Sequence, residues 1–358
     1  MDYKMIAKLQ TNLEIIQGDC FKLLQTLPDE SVNCCVTSPP YWGLRDYRVK
    51  GQIGLEASIE EYVAKIVNVF REVKRILKKD GTCWINLGDS YNSPGPNRHD
   101  KSNIVHKGKA KKIWSQPSTR LDKELKSKEL CGIPWRIAFA LQKDGWYLRQ
   151  DIIWAKPNPM PESVQDRCTK AHEYLFLLTK STRYYYDQEA IKEPLKDASI
   201  FRLMQNIENQ KGSDRVSGKR NGTMKAVCQK PAFGWRQGKR FNEMMAGGGT
   251  SYKNGHSGYF DSNGQPLCGS MANKRSVWTV PTFSFKEAHF ATYPPDLIKP
   301  CILAGCPVGG TVLDPFAGSG TTGQVALELG RRAILIELNS NYIELINQRC
   351  HITPGFEF

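Results

Sequence analysis

The chain has 358 residues, 40% of them hydrophobic, with a formal net charge of +14. That length supports one large core with a smaller inserted or appended module, and no run of roughly 18 apolar residues offers a membrane span. The charge surplus favours a polyanionic partner, nucleic acid first, while the 11 cysteines and 6 histidines hold no CxxC pair and do not cluster, which argues against a structural zinc.

In chain order, MDYKMIAKLQ lacks the apolar centre of a signal peptide, and the scattered cysteines read as those of a reduced, cytoplasmic protein. Leu13 to Gln17 is predicted to be a strand closed by Gly18 and Asp19, and Phe21 to Leu27 one or two helical turns before Pro28. Val32 to Val36 (VNCCV) is a buried strand that runs into TSPPYW, Thr37 to Trp42. Gly43 to Gly54 is polar and reads as a mobile loop. Ser58 to Lys79 is the clearest helix: Ser58 and Glu61 form a capping box, and Ile59, Tyr62, Val63, Ile66, Phe70, Val73 and Leu77 share one face. Lys78, Lys79 and Gly81 are read as its stop, and Thr82 to Leu87 as the next strand. Residues 92–129 form a basic excursion rich in Lys, Ser, Asn and Pro. Pro134 to Lys143 is a helix, and Trp146 to Ala155 and Glu173 to Thr179 are strands joined by a proline-rich link. Gly212 to Gly269 is Gly-rich and basic with interleaved aromatics, and residues 190–275 read as an inserted module between a first part, 1–189, and a last part, 276–358. Pro294 to Ala304 is a helix, Thr311 to Leu313 a strand ending at Asp314, Gly323 to Leu329 a helix, Arg332 to Glu337 a strand and Asn341 to Arg349 a last helix. Strands alternating with helices predict an α/β fold: a mostly parallel twisted sheet with helices on both faces.

Two stretches carry chemistry. Ser38, Pro39 and Pro40 form a stiff corner at a strand's C-terminal end, because proline has a locked φ and no N–H. The corner presents the Ser38 hydroxyl, the Pro39 carbonyl and the aromatic faces of Tyr41 and Trp42, two acceptors and a stacking surface suited to a planar group with an NH2. The second stretch, DPFAGSGTTG from Asp314 to Gly323, is a glycine turn between strand and helix where backbone N–H groups can approach a ligand. Gly318, Gly320 and Gly323 fit G-x-G-x-x-G and Glu337 ends the following strand, which alone is consistent with a dinucleotide and hence an NAD-dependent oxidoreductase. Asp314 at the strand tip and the apolar Phe316 fit a ligand with an ammonium, a sulfonium and an adenosine better.

Together the two stretches resemble the amino-methylating DNA methyltransferases that use S-adenosylmethionine, whose catalytic corner is (Ser, Asp or Asn)-Pro-Pro-(aromatic) and whose cofactor turn is Asp-x-Phe-x-Gly-x-Gly. The corner comes first here and the turn last, the order of the permuted β group, so a circularly permuted Rossmann-like fold with a target-recognition insert at 190–275 is implied. The resemblance assigns Asp314 to the cofactor's amino group, and Phe316, Gly318, Gly320 and Thr321 to its methionine and ribose end. Glu337 takes the ribose hydroxyls, Asp19 the adenine side, and His289 with Phe290 the segment closing over the methionine. Ser38, Pro39, Pro40 and Tyr41 hold the target base, with Tyr41 and Trp42 stacking on it. Ser at the first corner position points to N4 of cytosine, with N6 of adenine as the alternative. Lys109, Lys111, Lys112, Arg236, Arg240 and Lys253 are the expected contacts to double-stranded DNA. No metal is implied, and a monomer or homodimer with a companion restriction endonuclease, working in the cytoplasm at the nucleoid, is the expected setting.

Overall fold

Buried apolar strands set the centre of the molecule. In the computed structural model, which describes residues 12–92, 122–195, 271–282 and 293–350, β2 (Val32–Thr37) and β9 (Thr311–Asp314) are almost wholly buried. This is the pattern of parallel strands covered on both faces. Around them lie β1 (Leu13–Gln17), β3 (Leu77–Leu87), β4 (Tyr147–Ala155), β5 (His172–Thr179), β8 (Val277–Thr279) and β10 (Arg332–Glu337) in one sheet of order β1-β10-β9-β2-β3-β5-β4-β8. Its pairings are parallel except where β5 runs antiparallel to both β3 and β4. The mostly parallel α/β sheet expected from the strand–helix alternation is therefore the fold observed.

Helices cover both faces because successive strand residues point to opposite sides. Cys35, Cys83, Ile85, Phe176 and Leu313 pack with α1 (Cys20–Leu24), α2 (Ile59–Ile76) and α3 (Ile133–Lys143). Cys34, Val36, Trp84, Leu175, Val312 and Leu335 pack on the other side with α4 (Pro295–Gly305), α5 (Thr321–Glu328) and α6 (Ser340–Cys350). Pro134 falls in the first turn of α3, where a missing N–H costs nothing. The Ser58 hydroxyl accepts from Glu61 N, and Glu61 reaches back to Ala57 N.

The predicted end of α2 at Lys79 is corrected. The helix stops at Ile76, and β3 begins at once because Leu77 pairs with Val32 in the sheet. Gly81 is no helix stop: it lies inside β3, where a Cβ would meet Lys78 O at 3.0 Å and Asn33 O at 3.1 Å. The register shift in β2 falls at this point, between Val32 and Cys34.

β2 leads through α2 to β3 on one side of the sheet, and β9 leads through α5 to β10 on the other. Neighbouring strands whose crossovers diverge leave a crevice at their C-terminal ends, which is where open α/β sheets bind ligands. The chain divides into two units, 1–191 with 275–358, and 192–274. The described part of the second is a short antiparallel pair, β6 (Glu193–Pro194) with β7 (Met271–Ala272). No helix among the described residues is long and apolar enough to cross a membrane.

Candidate active site

Cys34 and Cys35 of β2 stand opposite Val312 and Leu313 of β9, so the corner and the glycine turn leave adjacent strand tips. The tips are bonded: Thr37 donates through Oγ1 to Asp314 Oδ1 at 2.6 Å. A cavity of about 1060 Å³ opens above them, lined by Ser38, Pro39, Pro40 and Tyr41 from the corner and by Phe316, Gly318, Ser319, Thr321 and Glu337 from the turn side. Asp19 lines it from the tip of β1, two strands from β9, where its carboxylate accepts from Lys22 N and caps α1.

The glycines of the turn answer different demands. Gly318 and Gly320 have φ of +53° and +83°, the left-handed region open mainly to glycine. Gly323 is needed for packing, since a Cβ there would lie 2.5 Å from Leu335 Cδ1. Glu337 accepts from Gly318 N and Asn339 N, both at 2.8 Å, which ties the end of β10 to the turn. Burial pushes its carboxyl up to about 7 against those two donors.

Asp314 takes a different place from the one expected. It does not line the cavity, and its carboxylate is fully engaged by four donors: Thr37 Oγ1 and Phe316 N on Oδ1, Tyr293 OH and Thr322 Oγ1 on Oδ2. Burial raises its pKa while the four donors oppose the rise. Tyr293 lines the cavity, and its hydroxyl lies against Thr322 Oγ1, where the two share Asp314 Oδ2. The carboxylate thus clamps β2, the glycine turn and the residue entering α4 to one another.

At the corner, Tyr62 OH donates to the Pro40 carbonyl at 2.8 Å. The Pro39 carbonyl accepts from none of the described residues. Ser38 Oγ lies 3.5 Å from both Tyr41 OH and Asn86 Oδ1. Tyr41 OH donates to Glu173 Oε2 at 2.7 Å, with Asn86 Oδ1 3.2 Å away, and Glu173 is ion-paired with Lys156. The Tyr41 ring lies against Gly88, where a Cβ would come within 2.5 Å of Cε2.

Trp42 is a correction. It is 4% exposed, belongs to the core beneath α2 and donates through Nε1 to Glu56 O, so it does not line the cavity. The loop 43–54, expected to be mobile, is cross-bonded: Gly43 N reaches Gly54 O, and the Gln52 side chain joins Arg45 O to Tyr47 N. It walls the cavity through Arg45, Tyr47, Gln52 and Ile53. His289, Phe290, Lys109, Lys111, Lys112, Arg236, Arg240 and Lys253 lie outside the described residues.

Sequence reading missed Asn86, Glu173, Lys156 and Tyr293. Asn86 had a visible signal, a lone amide in the apolar strand TCWINL. The cavity also holds Cys20, but burial and the neighbouring Asp19 push its thiol up to about 12, which removes it as a thiolate nucleophile at neutral pH.

Comparison with known proteins agrees with this geometry. A family model described as DNA methylase, of the N6/N4 type, matches residues 32–348. Type II methyltransferase M.SmaI of Serratia marcescens is 41% identical over 344 residues, 95% of this chain and 92% of that protein. Type II methyltransferase M.Cfr9I of Citrobacter freundii is 42% identical over 337 residues, 94% and 86% of the two chains. Among solved structures, PvuII DNA methyltransferase (cytosine-N4-specific) superposes with a TM-score of 0.57 at 17% identity, covering 96% of this chain and 88% of its own. A putative DNA modification methylase from Thermus thermophilus, complexed with S-adenosyl-L-methionine, gives 0.51 at 21% identity, covering 96% and 97%. Matched over most of its length by the family model and by relatives above 40% identity, this chain belongs to the N6/N4 DNA methylase family.

Proposed function

We propose that this DNA methylase transfers a methyl group from S-adenosylmethionine to the exocyclic N4 amine of a cytosine flipped out of duplex DNA. The observation that carries the reading is the Thr37–Asp314 bond, by which the Ser38 corner and the Gly318 turn share one cavity.

The cavity fits the cofactor on features of this structure. The left-handed Gly318 and Thr321 at the start of α5 line it, Phe316 supplies an apolar wall, and Glu337 offers carboxylate oxygens beside the Asp19 end. Phe316, Gly318 and Thr321 hold the methionine and ribose part, Glu337 accepts from ribose hydroxyls, and Asp19 faces the adenine side; Gly320, expected among them, does not line the cavity and packs against Ile346, so it serves the site through the shape of the turn. Asp314 serves this site by holding Tyr293, Thr322 and Thr37 in place. Bound there, S-adenosylmethionine supplies a methyl group on a positively charged sulfur.

The corner's own residues prepare the amine. Ser38 Oγ and the Pro39 carbonyl accept hydrogen bonds from the NH2, which favours a pyramidal nitrogen with its lone pair available. Tyr41 presents an aromatic wall to the base, and loop 43–54 excludes water from the shared space. Orientation and fixed dipoles carry the rate, with no covalent intermediate on the protein. Reaching such a corner requires the base to leave the helix, at a cost of a few kcal/mol. Cytosine is favoured over adenine on Ser38, the corner residue typical of N4-cytosine enzymes.

Residues 192–274 form the target-recognition module, where Arg236, Arg240 and Lys253 join Lys109, Lys111 and Lys112 on the DNA phosphates. The protein works as a monomer or homodimer in the cytoplasm, at the nucleoid, alongside a companion restriction endonuclease. Calorimetry tests the cofactor: S-adenosylmethionine binds and NAD is silent, whereas NAD binding alone would overturn the reading. Modification-sensitive sequencing of DNA from a host expressing the protein then gives the base and its sequence context.

A further inference from the structure

We infer that Tyr41 and Glu173 form a proton exit from the catalytic corner, with Ser38 as its entrance. This rests on the proposed amine methylation. An exocyclic amine that gains a methyl group, while the C–S electron pair departs with sulfur, becomes a cation and must shed one N–H proton. The corner faces a cavity that Glu173 and Lys156 also line, so the proton can leave the reacting amine along their side chains.

The hydrogen bonds already run outward. Ser38 Oγ donates to Tyr41 OH at 3.5 Å, and Tyr41 OH donates to Glu173 Oε2 at 2.7 Å. As the amine proton reaches Ser38 Oγ, the Ser38 proton passes to the Tyr41 oxygen and the Tyr41 proton to Glu173. Both hydroxyls are restored and one neutral carboxyl is left. Glu173 suits the terminal position. Its side chain is 16% exposed, enough to return the proton to water, and Lys156 pairs with its other oxygen.

Asn86 is the alternative acceptor for Ser38, at 3.5 Å, but an amide carbonyl has no proton to hand on. Its Nδ2 is anchored on Tyr174 O, and its Oδ1 stands 3.2 Å from the Tyr41 oxygen as the second acceptor that hydroxyl can turn to. Gly88 serves the same path, because any side chain there would displace the Tyr41 ring.

The test uses the full chain, S-adenosylmethionine and amplified DNA, which carries no methyl groups. Tyr41→Phe keeps the ring and removes the relay hydroxyl; Glu173→Gln keeps the shape and removes the acceptor. Each variant is expected to lower single-turnover methyl transfer by about 100-fold, the lower end of the range for positioned proton transfer. The double variant should be no slower than the slower single one. Calorimetric Kd for S-adenosylmethionine and thermal midpoint should stay at wild-type values. Rates in mixtures of H2O and D2O should give a curved proton inventory for wild type and a straight one for Tyr41→Phe. Wild-type transfer with both variants equally fast, or with an unchanged proton inventory, overturns the relay alone. Failure of the wild-type protein to methylate DNA overturns the proposed function beneath it.

Discussion

Glu337 carries the most informative titration of the site. Its carboxyl stands at about 7 in the folded chain against an ordinary 4.5, with burial as the cause. A folded value raised in this way contributes stability that is present below about 4.5 and lost as pH rises through about 7. Ribose hydroxyls donate to the ionised form, so cofactor affinity runs the other way. The Kd for S-adenosylmethionine should fall by about tenfold from pH 6 to pH 8, and Glu337→Gln should flatten that dependence. A flat wild-type profile would remove Glu337 from the ribose. Ser38 and Asp314 separate equally clearly. Ser38→Ala should lower turnover by about 100- to 1000-fold and leave cofactor Kd unchanged. Asp314→Asn presents an NH2 where one of two pairs of donors now points, so it should lower the thermal midpoint as well as cofactor affinity and turnover. Wild-type stability in Asp314→Asn would argue against the clamp.

At the level of elements, α2, β2 and β9 were legible because their signals are local: a capping box, an unbroken apolar run, a short apolar strand ended by Asp314 and Pro315. The C-terminal boundary of α2 was not legible. Leu77 continues the helical apolar face and also pairs with Val32, and the sheet bond wins over three residues of helical pattern. Trp42 was misplaced because the chain turns at this point, closed by Leu44 N on Tyr41 O, which leaves Tyr41 on the cavity and sends Trp42 into the core. Asp314 was seen as a charge at a strand tip, but its donors come from three separate elements, and no spacing announces them. Glycines test the turn directly. Gly323→Ala forces a methyl onto buried Leu335 and should cost about 1–3 kcal/mol in denaturant unfolding. Gly318→Ala has open space in the cavity wall, so its cost should be nearer ~1 kcal/mol, from the left-handed backbone alone, with the larger loss in cofactor affinity. Equal stability losses would contradict this division of roles.

The whole molecule places its chemistry where diverging crossovers open a crevice, and the fold class was readable from strand–helix alternation before any contact was known. That the corner and the glycine turn share one cleft followed from both lying at strand ends; what stayed hidden was the particular bonds, Tyr41 with Glu173 and Thr37 with Asp314. The +14 charge belongs to this scale too. If lysines and arginines neutralise phosphates, DNA affinity should fall linearly on a plot of log affinity against log salt, with a slope of about −0.9 per phosphate contacted. A salt-independent affinity would set the charge aside as a binding device. The most direct measurement is chemical: duplex DNA incubated with the protein and S-adenosylmethionine, digested to nucleosides and resolved by mass spectrometry against synthetic standards. N4-methyldeoxycytidine is the predicted product; N6-methyldeoxyadenosine in its place, or no methylated nucleoside at all, would contradict the account.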